Sequence, residues 1–389
     1  MTDVLEIKRA RISVTLAFVL NGIIVGTFVS RIPDFKATLH LTNSRLGISL
    51  LMSAFGVLTA LGPIGKLTAK YGSSFIVKIA NPILCVMPIL VSLLFSEIWF
   101  AFSLFLYGFT LASQDVAMNT HGVTLEGKSG KRFMGRFHAF WSVGGFVGSI
   151  IGGALAQAGL TVKQHFLLIA VLMFITSVII SSMYLTADSD KHVYSDENKA
   201  KKKRPRLIFI MGLLGMAASV GEGAAGDWGG VLTRETFGAS PFVSSLPFIA
   251  FCFTMVIGRF FGDQLATKFG PNRILKFGGL FGGVGLALGL LAGGSTGVIV
   301  GWFLFGSAIS AVIPLLFSAA GSMANKRFAG SISPAEAVAM ISGISYFGFI
   351  LGPPLMGFLA DAITLRWAML VPAALAIAIS ASSKIFTSE

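Results

Sequence analysis

Charge is scarce in this chain, and negative charge scarcest. Of 389 residues only 12% are charged, with 17 Asp and Glu set against 30 Lys and Arg. A water-soluble fold of this length needs a far more polar skin, so a soluble globular protein is excluded. Cysteine is almost missing as well. Cys85 and Cys252 are the two present, each inside an apolar run, which leaves no disulfide framework and no paired-cysteine zinc site. An H-E-x-x-H helix and a convergent nucleophile constellation are also lacking, so neither an enzyme, a metal nor a cofactor is called for. Only one long polar stretch exists, Ala187 to Arg206, too short to be the soluble output domain of a membrane sensor or scaffold.

What is there is hydrocarbon. Hydrophobic residues make up 54% of the sequence, and the mean hydropathy is +0.81. A helix crossing a bilayer needs about 20 mostly apolar residues, because every backbone polar group must be paired within the segment. The apolar runs predict twelve such helices, at 12–30, 46–67, 75–95, 98–120, 137–158, 163–185, 207–228, 243–265, 273–292, 297–318, 337–359 and 365–385. The fold class is therefore an all-α membrane protein. The start, Met1 to Arg11, shows no small-residue cleavage site and reads as part of a retained first helix.

A net charge of +13 would suit nucleic acid if the cations formed one continuous face, but they fall in small clusters between apolar runs. Lys8, Arg9 and Arg11 precede the first span. Lys66, Lys70 and Lys78 flank the second loop, and Lys128, Lys131, Arg132 and Arg136 the fourth. Lys201, Lys202, Lys203 and Arg204 enrich the sixth, Lys268, Arg273 and Lys276 the eighth, and Lys326 and Arg327 the tenth. Arg31, Lys36, Arg45, Lys163, Arg234 and Arg366 fall on the other side. Excess cations mark cytoplasmic loops, so both termini are expected in the cytoplasm of a multi-pass protein of the bacterial plasma (inner) membrane.

The sequence repeats itself once. Leu67, Lys70 and Gly72 after span two recur as Leu265, Lys268 and Gly270 after span eight, and Gly144 and Gly148 in span five recur as Gly348 and Gly352 in span eleven. This predicts a six-helix half over 1–186, a cytoplasmic linker over 187–206 and a second half over 207–389. Halves of the same orientation imply a two-fold axis along the membrane normal with a cavity between them.

The loop GKLTAKYGSS, Gly65 to Ser74, resembles the signature that follows the second helix in the major facilitator superfamily. Gly65, Leu67, Lys70 and Gly72 fit it. Ala69, and Thr267 in the second copy, stand where the family has an acid. The resemblance implies the major facilitator fold and assigns Gly65, Lys70, Gly72, Lys268 and Gly270 to gating at the inner surface. Arg259 and Asp263, four residues apart on one helix, are expected to supply a substitute ion pair there. The segments RIPDFKATLHLTNSRLG, SQDVAMNTHGV, RFHAFWSVGGFVGSIIGG and EGAAGDW are similar to a bacterial branch of this superfamily, distantly related to sugar permeases of the fucose type. The glycines of span five are similar to the superfamily's antiporter signature, but Ser149 replaces its proline, and close helix packing in lipid is the better reading.

Two motif matches mislead. GVTLEGKS, Gly122 to Ser129, satisfies the phosphate-loop pattern, and GEGAAG, Gly221 to Gly226, the dinucleotide pattern. Both need a strand–turn–helix context, and both lie in or directly after a membrane helix.

Polar groups inside apolar spans are the remaining candidates, since a carboxylate at mid-bilayer costs about 2.5–3.5 kcal/mol on insertion scales. Gln114, Asp115 and Asn119 fall in span four, where Asp115 looks like the proton-coupling acid of the fucose-type branch. The alternative is a structural network of Asp115 with Arg136 or His138. Asn21 is the central polar residue of span one. Glu222, Asp227 and Trp228 lie in span seven, with Glu222 expected to bind solute or proton and Asp227 to pair at the outer gate. His138, Trp141 and Tyr346 complete the candidate substrate- or proton-binding set. The expected activity is secondary active transport by alternating access, as proton-coupled uptake of a polar or sugar-like solute. Efflux of an amphipathic compound and a non-transporting sensor are the alternatives. The expected partners are a small-molecule solute, protons and the lipid bilayer, with no nucleic acid, for a chain acting as a monomer.

Overall fold

A computed structural model describes residues 2–186, 205–328, 332 and 334–383. Among these the chain forms helices and no strand, as backbone in hydrocarbon requires when no barrel is closed. In chain order they are α1 (Thr2–Val29), α2 (Ile32–Thr38), α3 (Asn43–Tyr71), α4 (Ser73–Ser92), α5 (Glu97–Ser129), α6 (Met134–Gln157) and α7 (Val162–Ser181). The series continues with α8 (Arg206–Phe237), α9 (Pro241–Phe269), α10 (Pro271–Ala292), α11 (Gly294–Ile309), α12 (Val312–Lys326), α13 (Pro334–Ile363), α14 (Leu365–Ala368) and α15 (Leu370–Ala381). Among the described residues, ten stretches are long and apolar enough to cross a membrane. The polar-studded α5 and the α14–α15 pair make up the twelve.

Helix ends are marked by local chemistry. Ser96 starts α5 by accepting a 3.1 Å hydrogen bond from the Trp99 N–H, and Gly130 ends it at φ +66°. Thr161 and Gln164 form a reciprocal capping box at the start of α7. The eight residues of GVTLEGKS are the last turns of α5, and GEGAAG lies within α8, so neither is a nucleotide-binding loop.

Three details go beyond the twelve apolar runs. Span ten, one apolar stretch over Gly294–Ala324, is built of two helices, α11 and α12, meeting at Ser310 and Ala311, and span twelve is broken at Met369. The stretch between spans one and two carries α2, and Arg31 and Lys36 are buried. Arg31 donates from Nε to His165 Nδ1 (2.9 Å), from Nη1 to Asp34 Oδ2 (2.8 Å) and from Nη2 to the Leu160 carbonyl (2.7 Å). A guanidinium can be held inside protein when its donors are met in this way.

The chain divides into two compact units, Met1–Leu41 with Ile48–Glu197, and Thr42–Gly47 with Asn198–Glu389. The expected linker 187–206 lies mostly outside the described residues. Within the first unit α1 packs on α6, and α4 packs on α5 and α7. Within the second, α8 packs on α13, and α10 packs on α11 and α15. First on fifth, third on fourth and third on sixth is thus the pairing in each. Glycines set the α1–α6 approach: a Cβ on Gly148 would lie 2.5 Å from the Ile23 carbonyl, and one on Gly22 2.8 Å from the Gly145 nitrogen. Outward faces remain apolar, with Leu167, Val171 and Ile175 on α7 and Phe277, Phe281 and Leu288 on α10 exposed for lipid to cover.

Candidate functional site

In the first unit, α1, α4, α5 and α6 each contribute one polar side chain to a continuous chain of hydrogen bonds. Trp141 Nε1 donates to Asn21 Oδ1 (2.7 Å), and Asn21 Nδ2 donates to Gln114 Oε1 (2.6 Å). Gln114 Nε2 donates to Asn81 Oδ1 (2.9 Å), and Asn81 Nδ2 donates to the Tyr184 hydroxyl (2.9 Å). Three amides thus have their donors and acceptors engaged while almost wholly buried, which is the condition for polar groups to be tolerated there. Trp141 is the member at partial exposure. The sequence picks out Asn21, Gln114 and Trp141, and the structure joins all three. It misses Asn81 and Tyr184.

The chain of bonds ends beside His121, whose ring meets Tyr184 edge-on at 5.2 Å. The Leu185 N–H donates to His121 Nε2 (3.1 Å), so Nδ1 carries the ring proton and donates to Ser73 Oγ (2.8 Å). His138, the histidine singled out from sequence, is instead exposed, with its ring edge-on to Phe18 at 5.2 Å.

Asp115 sits one residue beyond Gln114 and so points away from the amide chain. Its Oδ1 accepts from Asn119 Nδ2 (3.0 Å), one turn further along α5, and that amide also reaches the Asp115 carbonyl (2.8 Å). The i, i+4 spacing does place the pair on one face, whereas a bond from Arg136 or His138 to this carboxylate is not found among the described residues.

In the second unit, Glu222 Oε1 on α8 faces Arg259 Nη2 on α9 at 3.7 Å, with the two side chains 22% and 24% exposed. The sequence pairs Arg259 with Asp263, and the Asp263 side chain lies outside the described residues. Asp227 is partly buried, with no ionic partner among the described residues. Trp228 beside it is fully buried, with its indole N–H unbonded. Tyr346 is 40% exposed, with its ring 6.4 Å from that of Phe349.

The two copies of the repeated Leu-x-x-Lys-x-Gly motif have matching geometry. Gly72 (φ 87°, ψ 147°) joins α3 to α4, and Gly270 (φ 80°, ψ 145°) joins α9 to α10, a conformation that side-chain-bearing residues rarely adopt. Lys70 lies 5.1 Å over the Tyr71 ring and Lys268 5.3 Å over the Phe269 ring. Gly65 faces open space. Among the described residues, no group of three or more His, Cys, Asp or Glu has the arrangement to hold a metal ion.

Comparison with known proteins agrees with this architecture. The family model described as Major Facilitator Superfamily matches residues 14–335. An uncharacterised MFS-type transporter of Yersinia pestis is 31% identical over 97% of this chain and 96% of its own length. A Helicobacter pylori protein, provisionally named a glucose/galactose transporter, is 27% identical over 90% of this chain and 89% of its own. Among solved structures, a bacterial homologue of the human lysosomal transporter Spinster, in an inward-facing and occupied conformation, superposes with a TM-score of 0.75. It is 15% identical and covers 97% of this chain and 96% of that one.

Proposed function

Because the chain belongs to the Major Facilitator Superfamily, a family of multi-pass membrane transporters for small solutes, we propose that it takes up a polar, sugar-like solute by proton-coupled alternating access. In this reading it works as a monomer in the bacterial plasma membrane, with both termini cytoplasmic. The name of the Helicobacter pylori relative supports the sugar class.

The observation that carries proton coupling is the setting of Asp115. An acid within an apolar span, hydrogen-bonded by one amide and facing no cation among the described residues, is costly to hold ionised. Such a carboxyl group is suited to loading a proton when its surroundings dry and releasing it when they wet. Glu222 does not share that setting, because Arg259 offsets its charge. It is assigned to solute binding, and the two glycine junctions with Lys70 and Lys268 to gating.

Counterflow in proteoliposomes tests the transport reading. Vesicles preloaded with an unlabelled hexose should draw in the labelled one only when they contain the protein. An imposed inward proton gradient should then drive accumulation. Absence of counterflow across a broad hexose and pentose panel would remove the sugar class, and counterflow without any response to the proton gradient would remove the coupling.

A further inference from the structure

At the end of the first unit where α1 and α6 both begin lies a cavity of about 340 Å³, lined by Arg11, Ile12, Thr15 and Leu16 of α1 with Phe133, Arg136, Phe137 and Phe140 of the α6 start. The two helices run parallel, since Val19 meets Gly144 and Ile23 meets Gly148 further along. The wall is therefore graded. Arg11 and Arg136 stand towards the helix starts, with Phe133 beside Arg11, and Ile12, Leu16, Phe137 and Phe140 follow them along the helices. Arg136 is exposed, and Arg11 stacks 5.5 Å over the Phe133 ring. Neither guanidinium pairs with a carboxylate among the described residues. Glu126, the acid at this junction, is committed elsewhere, accepting from the backbone N–H groups of Phe133 and Met134. Glu6 lies on α1 among Lys8 and Arg9, and Lys131 and Arg132 add further exposed cations. Phe140 and Ile12 are 41% and 40% exposed, so the apolar wall is open-sided.

We propose that this cavity binds one anionic phospholipid, with Arg11 and Arg136 gripping the phosphate and Ile12, Leu16, Phe137 and Phe140 packing its acyl chain. The shared chemistry is a phosphate group, which a free anion also offers. The graded wall favours the lipid, because a headgroup at the surface with chains running into the bilayer has the same order of charge and hydrocarbon as the cavity. Guanidinium groups match phosphate bidentately, and basic pockets between membrane helices are the general solution for anionic headgroups.

The test uses the full chain, purified and returned to phosphatidylcholine nanodiscs with graded phosphatidylglycerol. Bound lipid is counted by mass spectrometry and stability is followed by thermal melting. Phosphatidylglycerol should raise the melting temperature and be retained through purification, while phosphatidylcholine should do neither. Arg136→Gln should weaken phosphatidylglycerol retention about five-fold and Arg11→Gln/Arg136→Gln about 30-fold, following the usual worth of a cation at an anionic surface. Melting in pure phosphatidylcholine should stay unchanged, which verifies folding. If the double variant fails to fold, Arg136→Gln carries the test, because that side chain is exposed and meets no carboxylate among the described residues. Phe140→Ala should weaken long-chain phosphatidylglycerol but not its dihexanoyl form. Equal stabilisation by inorganic phosphate alone would overturn the lipid in favour of a free-anion site. Undiminished phosphatidylglycerol retention in the arginine variants would overturn the cavity itself. These readouts involve no transport, so they stand or fall apart from the solute assignment.

Discussion

Asn81 is held from both sides, donating from Nδ2 to the Tyr184 hydroxyl and accepting at Oδ1 from Gln114 Nε2, each at 2.9 Å. Asn81→Ala strands a buried donor on Gln114, and such an orphan costs about 1–3 kcal/mol. The purified variant should melt several degrees lower. Gln114→Ala added to it should cost much less than the sum, because the orphan is removed with its owner. Strictly additive losses would show that the chain of amides is not coupled. Asp115 makes a different prediction: Asp115→Asn should abolish accumulation driven by a pH gradient while exchange of solute across the membrane persists, since exchange moves no net proton. Accumulation at the normal pH dependence would end the proton role. Glu222→Gln should raise the solute concentration needed for half-maximal counterflow. Polar residues interrupting apolar runs are visible in a sequence, which is why Asn21, Gln114, Trp141 and Asp115 are legible there. Their partners are less so. Asn81 stands before Pro82 and reads as a helix irregularity, and Tyr184 lies beyond the end of α7. Glu222 approaches Arg259 from the neighbouring helix, a pairing that spacing along one helix does not reveal.

At the scale of helices, glycine has two separable uses, and substitution tells them apart. On α6, an alanine methyl at Gly148 would fall within 2.5 Å of the Ile23 carbonyl, a backbone atom that moves only if α1 moves. Gly148→Ala should therefore lower the melting temperature and the yield of folded protein, as overpacking by one carbon typically costs about 1–3 kcal/mol. Gly65→Ala meets nothing within 4 Å. It should be neutral or stabilising, because glycine inside a helix is about 0.5–1 kcal/mol worse than alanine. A large loss from Gly65→Ala would mean that its open face is covered during function. The twelve apolar runs were readable because the bilayer imposes length and composition together. The break between α11 and α12 is marked more faintly, by Pro314 alone: its ring clashes with the carbonyl four residues back, at Ser310, within a run that is otherwise uniformly apolar. The helix α2 is hard to read for another reason: Arg31, Asp34 and Lys36 crowd charge onto one short segment, and the partners that let Arg31 be buried, His165 and the Leu160 carbonyl, lie far along the chain.

For the whole molecule, the repeated element is more informative than either copy. Gly72 and Gly270 adopt nearly the same backbone angles, Lys70 and Lys268 both lie over the ring that follows them, and the helix pairings recur in each unit. Two copies with the same internal order, each of six spans, must begin on the same side of the membrane, because an even number of crossings returns the chain to its starting face. The proposed orientation, with a cytoplasmic N-terminus, then rests on one argument, the excess of cations at the α1 and α6 starts. The native cysteines are both buried, so labelling of introduced ones is interpretable without removing them. Lys131 and Lys163 are exposed and lie beyond opposite ends of α6, which at about 1.5 Å per residue is long enough to cross the hydrocarbon core. In intact cells, Lys163→Cys should react with a membrane-impermeant maleimide, and Lys131→Cys should react only after the membrane is opened. The reverse result would invert the orientation and, with it, place the arginine-lined cavity in the outer leaflet. Reaction of both from outside would mean that α6 does not cross the membrane.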